Sequence, residues 1–361
     1  MSFAHLLSPF TAGSLTLSNR LVLAPMTRSR ALDGNVPNPL AAIYYAQRAS
    51  AGLLISEGTQ VSPQGVGYIR TPGMHSAAQV EGWTTVTNAV HAAGGRIFAQ
   101  LWHVGRVSHP DFHDGQLPVA PSALPVDGEA FTTRGRQPLP TPRALTPDEI
   151  PGLIEQFRAA AVNARAAGFD GVELHGANGY LLDQFLRDSS NQRTDRYGGS
   201  IENRARLPLE VVDAVIDVWG AERVGYKISP YFSMFGMSDS DPVDTFSYLA
   251  GQLGRRGVLY LHVAEPRSAV PPSSPRITPI LRERFPGTLV VNGGYDGQSG
   301  EAAVAAGEAD LVAYGVRFLA NPDLPERFRR NAALNEPDVA TFYTGEEKGY
   351  IDYPLLEPVA A

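Results

Sequence analysis

The chain contains no cysteine. Disulfide frameworks, thiolate-held zinc, iron–sulfur clusters and thiol nucleophiles are therefore excluded outright. Basic charge is also scarce. Thirty Lys and Arg face 37 Asp and Glu, a formal net charge of −7 with a pI near 5.6. No stretch supplies the basic, phosphate-neutralising face that a nucleic-acid partner requires. No segment approaches the roughly 18 continuous apolar residues of a membrane span. The opening MSFAHLLSPFTAG has neither a basic start nor a sustained apolar run, so it does not read as a signal peptide, and the expected location is the cytoplasm. Metal-ligand spacings of the HExxH kind and a serine in a nucleophile elbow are missing too, which argues against a metalloenzyme or a hydrolase.

The chain is rich in loop formers. Its 36 glycines and 29 prolines in 361 residues exceed the globular average without reaching low complexity, so a compact fold with many structured loops is expected. Short, continuously apolar runs recur: Leu21–Ala24, Leu53–Ser56, Ile97–Leu101, Gly171–His175, Val224–Ser229, Leu259–Ala264, Leu289–Asn292 and Leu311–Tyr314. Their character suits strands buried on both faces, as in a parallel sheet. Between them lie segments of helical period. In the clearest, Ile150, Leu153, Ile154, Phe157, Ala161 and Ala164 form one stripe. Thr146 and Glu149 have capping-box spacing, Pro151 marks the helix start and Gly168 its stop. Gln298–Ala306 reads as another helix, ended by Gly307.

Eight strands alternating with helices predict a single (β/α)8 TIM barrel over residues 1–361, with a doubly wound sheet as the weaker alternative. A short N-terminal hairpin is expected ahead of the first strand. One connection is unusually long: residues 104–145, after the third strand, are rich in Pro, Gly and His and have no clear period. An excursion of that length reads as a lid or cap.

Barrel enzymes build their sites at the C-terminal ends of the strands. Here those ends carry Pro25, Met26 and Thr27; Glu57 and Gly58; Gln100 and Trp102; His175, Asn178 and Tyr180; Lys227; Asn292, Gly293, Gly294 and Tyr295; and Gly315, Val316 and Arg317. The set is rich in neutral donors and aromatics and poor in carboxylates. It suits a planar heteroaromatic with an anionic tail, a bound flavin, with the glycines after the last two strands where barrels commonly hold phosphate. Singly, each residue has a plainer reading. Gly-Gly is a common turn, His175 and Asn178 can satisfy loop backbone, Lys227 can be a surface lysine, and Trp102 can belong to the core.

Five motifs carry a resemblance. The stretch 168–212, GFDGVELHGANGYLLDQFLRDSSNQRTDRYGGSIENRARLPLEVV, is the longest; NRLVLAPMTRSRA, AQLWHVGRVSH, FLANPDL and GYIDYP accompany it. Together they make the chain resemble the Old Yellow Enzyme family of FMN-dependent ene-reductases from end to end. The resemblance implies FMN across the barrel mouth and NADPH or NADH as reductant. Activated alkenes, meaning α,β-unsaturated carbonyl or nitro compounds, are the implied substrates. Pro25, Met26, Thr27, Gly58 and Gln100 would line the flavin. His175 and Asn178 would hold the substrate carbonyl oxygen, and Tyr180 would protonate the α-carbon. Tyr68, Trp102 and Tyr350 would shape the pocket, with 335–361 as a tail near the site. A monomer and a homodimer are both compatible with an acidic barrel. The competing readings are a Schiff-base aldolase using Lys227 and a flavin- or phenol-binding barrel without turnover.

Two positions depart from the family pattern. Lys227 stands where most relatives carry arginine, keeping the charge but losing the planar fork. After the eighth strand the usual Gly-Arg is replaced by Gly315-Val316-Arg317. The displaced Arg317 is expected to point away from the phosphate, which would then rest on the backbone of Gly294, Tyr295 and Val316.

Overall fold

The computed structural model describes residues 3–265 and 275–357. Eight parallel strands close on themselves. They are β1 (Leu21–Leu23), β2 (Leu53–Ile55), β3 (Ile97–Trp102), β4 (Gly171–His175), β5 (Val224–Ile228), β6 (Tyr260–Ala264), β7 (Thr288–Asn292) and β8 (Leu311–Tyr314). Each pairs with its successor, and β8 pairs back onto β1 with Val312 opposite Leu21 and Tyr314 opposite Leu23. Closure leaves no barrel edge unpaired. Every residue of β3, β4 and β5 is buried, which is why these strands are apolar without alternation.

Helices α1 (Leu40–Ala46), α2 (Ala77–Ala92), α3 (Ile150–Ala166), α4 (Arg206–Trp219), α5 (Pro242–Arg255), α6 (Ile277–Arg284), α7 (Gly297–Ala305) and α8 (Leu324–Arg330) connect the strands and follow the last. The sequence reading of α3 holds except at its start and at Ile154, which is half-buried. A single 3₁₀ turn, Pro147–Glu149, precedes it, and the Glu149 carboxylate accepts from the Thr146 amide at 2.8 Å. Ile150, Leu153, Phe157, Ala161 and Ala164 are buried, and Gly168 leaves the helix at a φ of +80°. The helix starts at Ile150, one residue ahead of Pro151, because proline is tolerated in a first turn.

The expected N-terminal hairpin pairs Phe10–Ala12 with Leu15–Leu17. Its Ala12, Leu15 and Leu17 join Val22, Leu53, Phe98, Tyr260, Val290 and Leu311 in one apolar cluster that fills the lower barrel. Two glycines make room there. A Cβ on Gly171 would lie 2.3 Å from the Phe98 ring, and one on Gly225 2.1 Å from that of Tyr260. Above this plug the interior turns polar, which confines the chemistry to the upper end.

The 104–145 excursion has more regular structure than its sequence suggests. It contains an antiparallel pair, Glu129–Thr132 with Gly135–Pro138, and a short parallel pair, Val119–Ala120 with Arg143–Ala144. Val126, Ala130 and Leu139 pack with Phe112 and with Phe235 from the loop after β5.

Candidate active site

The end of β4 supplies His175, and the turn after it Asn178 and Tyr180. Asn178 sits at a φ of +57°, a conformation uncommon outside glycine. A closed circuit holds it there. Its amide donates to Ser229 Oγ at 2.7 Å, and the Gly179 amide donates to Asp183 Oδ2 at 2.9 Å. Asp183 Oδ1 accepts from Arg187 Nε at 2.8 Å, and both side chains are buried. Arg187 in turn donates to the carbonyls of Ser229 and Phe232. The β4 turn and the β5 loop are thus locked to each other.

His175 is almost wholly buried, and its Nδ1 has no hydrogen-bond partner among the described residues. Burial, with Lys227 adding to it, pushes its pKa well down, so the ring is neutral. The Asn178 side-chain amide is also unpartnered among the described residues. Tyr180 presents its edge to His175 at 5.0 Å between ring centroids and to Trp102 at 5.0 Å. Its hydroxyl lies 3.1 Å from that of Tyr68. Burial, and then Tyr68, raise the Tyr180 pKa well above the ordinary phenol value. Tyr68 stacks on Trp102 at 5.5 Å. Gly58 allows the Trp102 ring its place, since a Cβ there would come within 2.6 Å of it.

Below these groups lies a polar layer, of which the sequence reading named Gln100 and Lys227 and missed Glu173 and His262. Gln100 Nε2 donates to Glu173 Oε1 at 2.8 Å, and His262 Nδ1 meets Glu173 Oε2 at 2.9 Å. Lys227 pairs in register with His175 on one side and His262 on the other, so all three face the interior at one level. Lys227 is buried, which lowers its pKa, while Glu173 pulls the other way.

At the ends of β7 and β8, a cavity of about 500 Å³ is walled by Asn292, Gly294, Gly315, Val316 and Arg317 and closed by Asn335 and Glu336 of the tail. Gly293 and Gly294 have φ values of +125° and +89°, and space beside Gly294 is open. Arg317 lines this cavity, with Nε donating to the Tyr295 carbonyl at 3.2 Å. A short helix, Val316–Ala320, starts here and leaves Val316 45 % exposed. Met26, after β1, reaches the same corner, with its sulfur 3.3 Å from where a Gly315 Cβ would be. Pro25, Met26 and Thr27 are half-buried at the mouth.

Tyr350 is not brought against Tyr68 or Trp102. Its ring stacks on Tyr44 at 4.4 Å, with the Arg28 and Arg30 guanidiniums 5.1 Å and 4.7 Å from its centre. Arg28 and Arg30 tie the tail down by donating to the carbonyls of Gly349, Thr341 and Glu346. Beside them Glu57 is buried, and its pKa rises to about 7.

Residues 5–335 match the model of the NADH:flavin oxidoreductase / NADH oxidase family. The chain belongs to that family. It is 50 % identical to 12-oxophytodienoate reductase 1 of Oryza sativa subsp. japonica, over 98 % of this chain and 94 % of that one. It is 46 % identical to 12-oxophytodienoate reductase 2 of Arabidopsis thaliana, over 98 % and 96 %. Among solved structures, morphinone reductase in complex with tetrahydroNAD superposes with a TM-score of 0.93 at 54 % identity, covering 98 % of each chain. The Old Yellow Enzyme homologue from Zymomonas mobilis gives 0.95 at 45 %, over 97 % and 99 %.

Family membership bears out the Old Yellow Enzyme resemblance. This is an FMN-dependent oxidoreductase of the ene-reductase type with a nicotinamide reductant. The Schiff-base alternative loses its basis. The residues present fit FMN. A glycine-lined cavity beside Arg317 suits a phosphate, and Thr27, Gln100 and Lys227 leave polar groups unpartnered among the described residues at the mouth, as a heteroaromatic edge requires. The missed residues carried a signal. Glu173 and His262 are polar residues inside apolar strands, and Glu173 is two residues from His175, hence on the same face.

Proposed function

We propose that this protein reduces activated alkenes, α,β-unsaturated carbonyl or nitro compounds, at the site formed by His175, Asn178 and Tyr180. FMN, when bound, supplies the chemistry of accepting hydride from a nicotinamide and delivering it to the β-carbon. His175 and Asn178 donate to the substrate's carbonyl oxygen. Both are neutral, so they stabilise charge that develops on that oxygen without giving up a proton to it. Tyr180 gives its phenolic proton to the α-carbon, and its raised pKa keeps that proton in place at neutral pH. Tyr68 and Trp102 form the aromatic wall. Tyr350 shapes the pocket from behind, through the tail that it anchors. The 104–145 excursion caps the site, a reading supported by its packing on Phe235 of the β5 loop.

The observation that supports this reading is the His175 ring, its buried Nδ1 unpartnered among the described residues, lying edge-on to the Tyr180 ring 5.0 Å away. The test is enone-driven reoxidation of the reduced holoenzyme in a His175→Ala/Asn178→Ala variant. Loss of two oxyanion donors should slow it at least 10²-fold, on the order of the loss from one such donor elsewhere. Reoxidation at the parent rate would refute the assignment.

A further inference from the structure

We infer that Glu173 is a positioning residue that fixes which end of the Gln100 amide faces the barrel mouth, so that the site selects a cofactor edge carrying an N–H group. This rests on the reading that Gln100 faces the flavin. An ionised carboxylate offers acceptors only, so the Gln100 atom 2.8 Å from Glu173 Oε1 is the amide nitrogen. The carbonyl oxygen is the end left over, and it has no partner among the described residues. Turning the amide over would set two acceptor oxygens against each other in a buried space.

The carboxylate cannot swing away to relieve that contact. Its second oxygen takes the Nδ1–H of His262 at 2.9 Å, and both side chains are fully buried. Strand register fixes the partners as well, with Glu173 directly opposite Gln100 across β4 and β3. Burial alone would raise the Glu173 pKa. His262, then Lys227 and Gln100, outweigh it and hold the group below the usual range, so it stays ionised. Tyr260 is the remaining titratable group felt from β6.

Lys227, in register with His262, can only donate. The interior therefore offers an oriented acceptor from β3 and a donor from β5, with β4 between them. An imide edge, with N–H beside C=O, meets both; the pyrimidine edge of FMN is such an edge.

The test is a coupling cycle on FMN affinity, read by quenching of flavin fluorescence as FMN is titrated into apoprotein. Glu173→Gln keeps the size and can still accept from His262 through its oxygen. Its NH₂ then faces Gln100 and turns that amide over. Glu173→Gln and Gln100→Leu should each weaken FMN binding about tenfold, the effect of one well-placed hydrogen bond. The double variant should bind no more than about twofold worse than Gln100→Leu alone, because Glu173 acts through Gln100. A roughly hundredfold loss in the double variant, or parent-like binding by Glu173→Gln, overturns the inference. Parent-like binding by Gln100→Leu overturns the underlying site reading, and the inference with it.

A second measurement leaves Glu173 untouched. With ¹⁵N-labelled FMN, the N3–H proton resonance in the parent should lie downfield of its position in Gln100→Leu. Equal positions would overturn the proposed orientation.

Discussion

The hydroxyls of Tyr68 and Tyr180 stand 3.1 Å apart, with the His175 ring 5.0 Å from that of Tyr180. Both phenols have raised pKa values, chiefly through burial. Neither ionises near neutrality, and either hydroxyl can donate to the other. Tyr180→Phe should slow enone-driven reoxidation about 10²-fold or more, within the usual range for a lost general acid. Flavin reduction by NADPH should stay near the parent rate. Tyr68→Phe removes only the hydrogen-bond partner and should cost no more than about tenfold. Stopped-flow absorbance of the two half-reactions separates these effects.

Lys227 puts a buried positive charge at the level of His175 and His262. Electron-rich reduced flavin gains from that charge more than oxidised flavin does. Lys227→Met should lower the flavin reduction potential and weaken reduced FMN binding by about tenfold, one unit of differential charge interaction. Spectroelectrochemical titration reads the first quantity, and unchanged values would remove Lys227 from the cofactor site.

How far the sequence reaches is visible in these two cases. His175, Lys227 and Trp102 were legible because strand ends in a barrel converge. The eight strands were legible because parallel strands buried on both faces are apolar runs. Glu173 and His262 sit mid-strand, and their pairing is created only by register between strands far apart in the chain. The Arg187–Asp183 circuit was hidden for a similar reason, since its targets are backbone carbonyls that no side-chain pattern reveals. Tyr350 and Arg317 were read from a motif that gives residue type without direction. The excursion hairpin escaped because its strands are short and mostly polar.

The circuit around Asn178 predicts a separation of stability from binding. Asp183→Asn leaves Arg187 buried without its counter-charge and should destabilise the protein by about 3–5 kcal/mol, a large drop in the urea midpoint. Ser229→Ala removes a single bond to the Asn178 amide and should cost only about 1 kcal/mol. It should nevertheless raise KM for the enone several-fold, since Asn178 no longer has its left-handed backbone pinned. Steady-state kinetics on Ser229→Ala checks this.

Glu57 predicts a pH dependence. Its pKa is 4.5 when free and rises to about 7 in the fold, mainly through burial. The folded state thus holds the proton more tightly than the unfolded state. The stability from this group is complete below about pH 4.5 and is lost as the pH rises through about 7. The loss is on the order of 3 kcal/mol. Glu57→Gln has no proton to lose, so its urea midpoint should fall less than the parent's between pH 5 and 8. Parallel declines would contradict the shift.

Arg317 lines the cavity at the ends of β7 and β8 that suits a phosphate. Arg317→Ala should therefore lose FMN on desalting under conditions where the parent retains it. Retention equal to the parent's would leave phosphate binding to the glycine backbone alone.

The most direct test is one anaerobic absorbance run on the FMN-loaded protein, with NADPH added to equivalence and 2-cyclohexenone added after it. The account predicts that the flavin band bleaches on the first addition and returns on the second. Bleaching with no return on enone addition would contradict it, leaving a flavin reductase in which His175, Asn178 and Tyr180 have no assigned work.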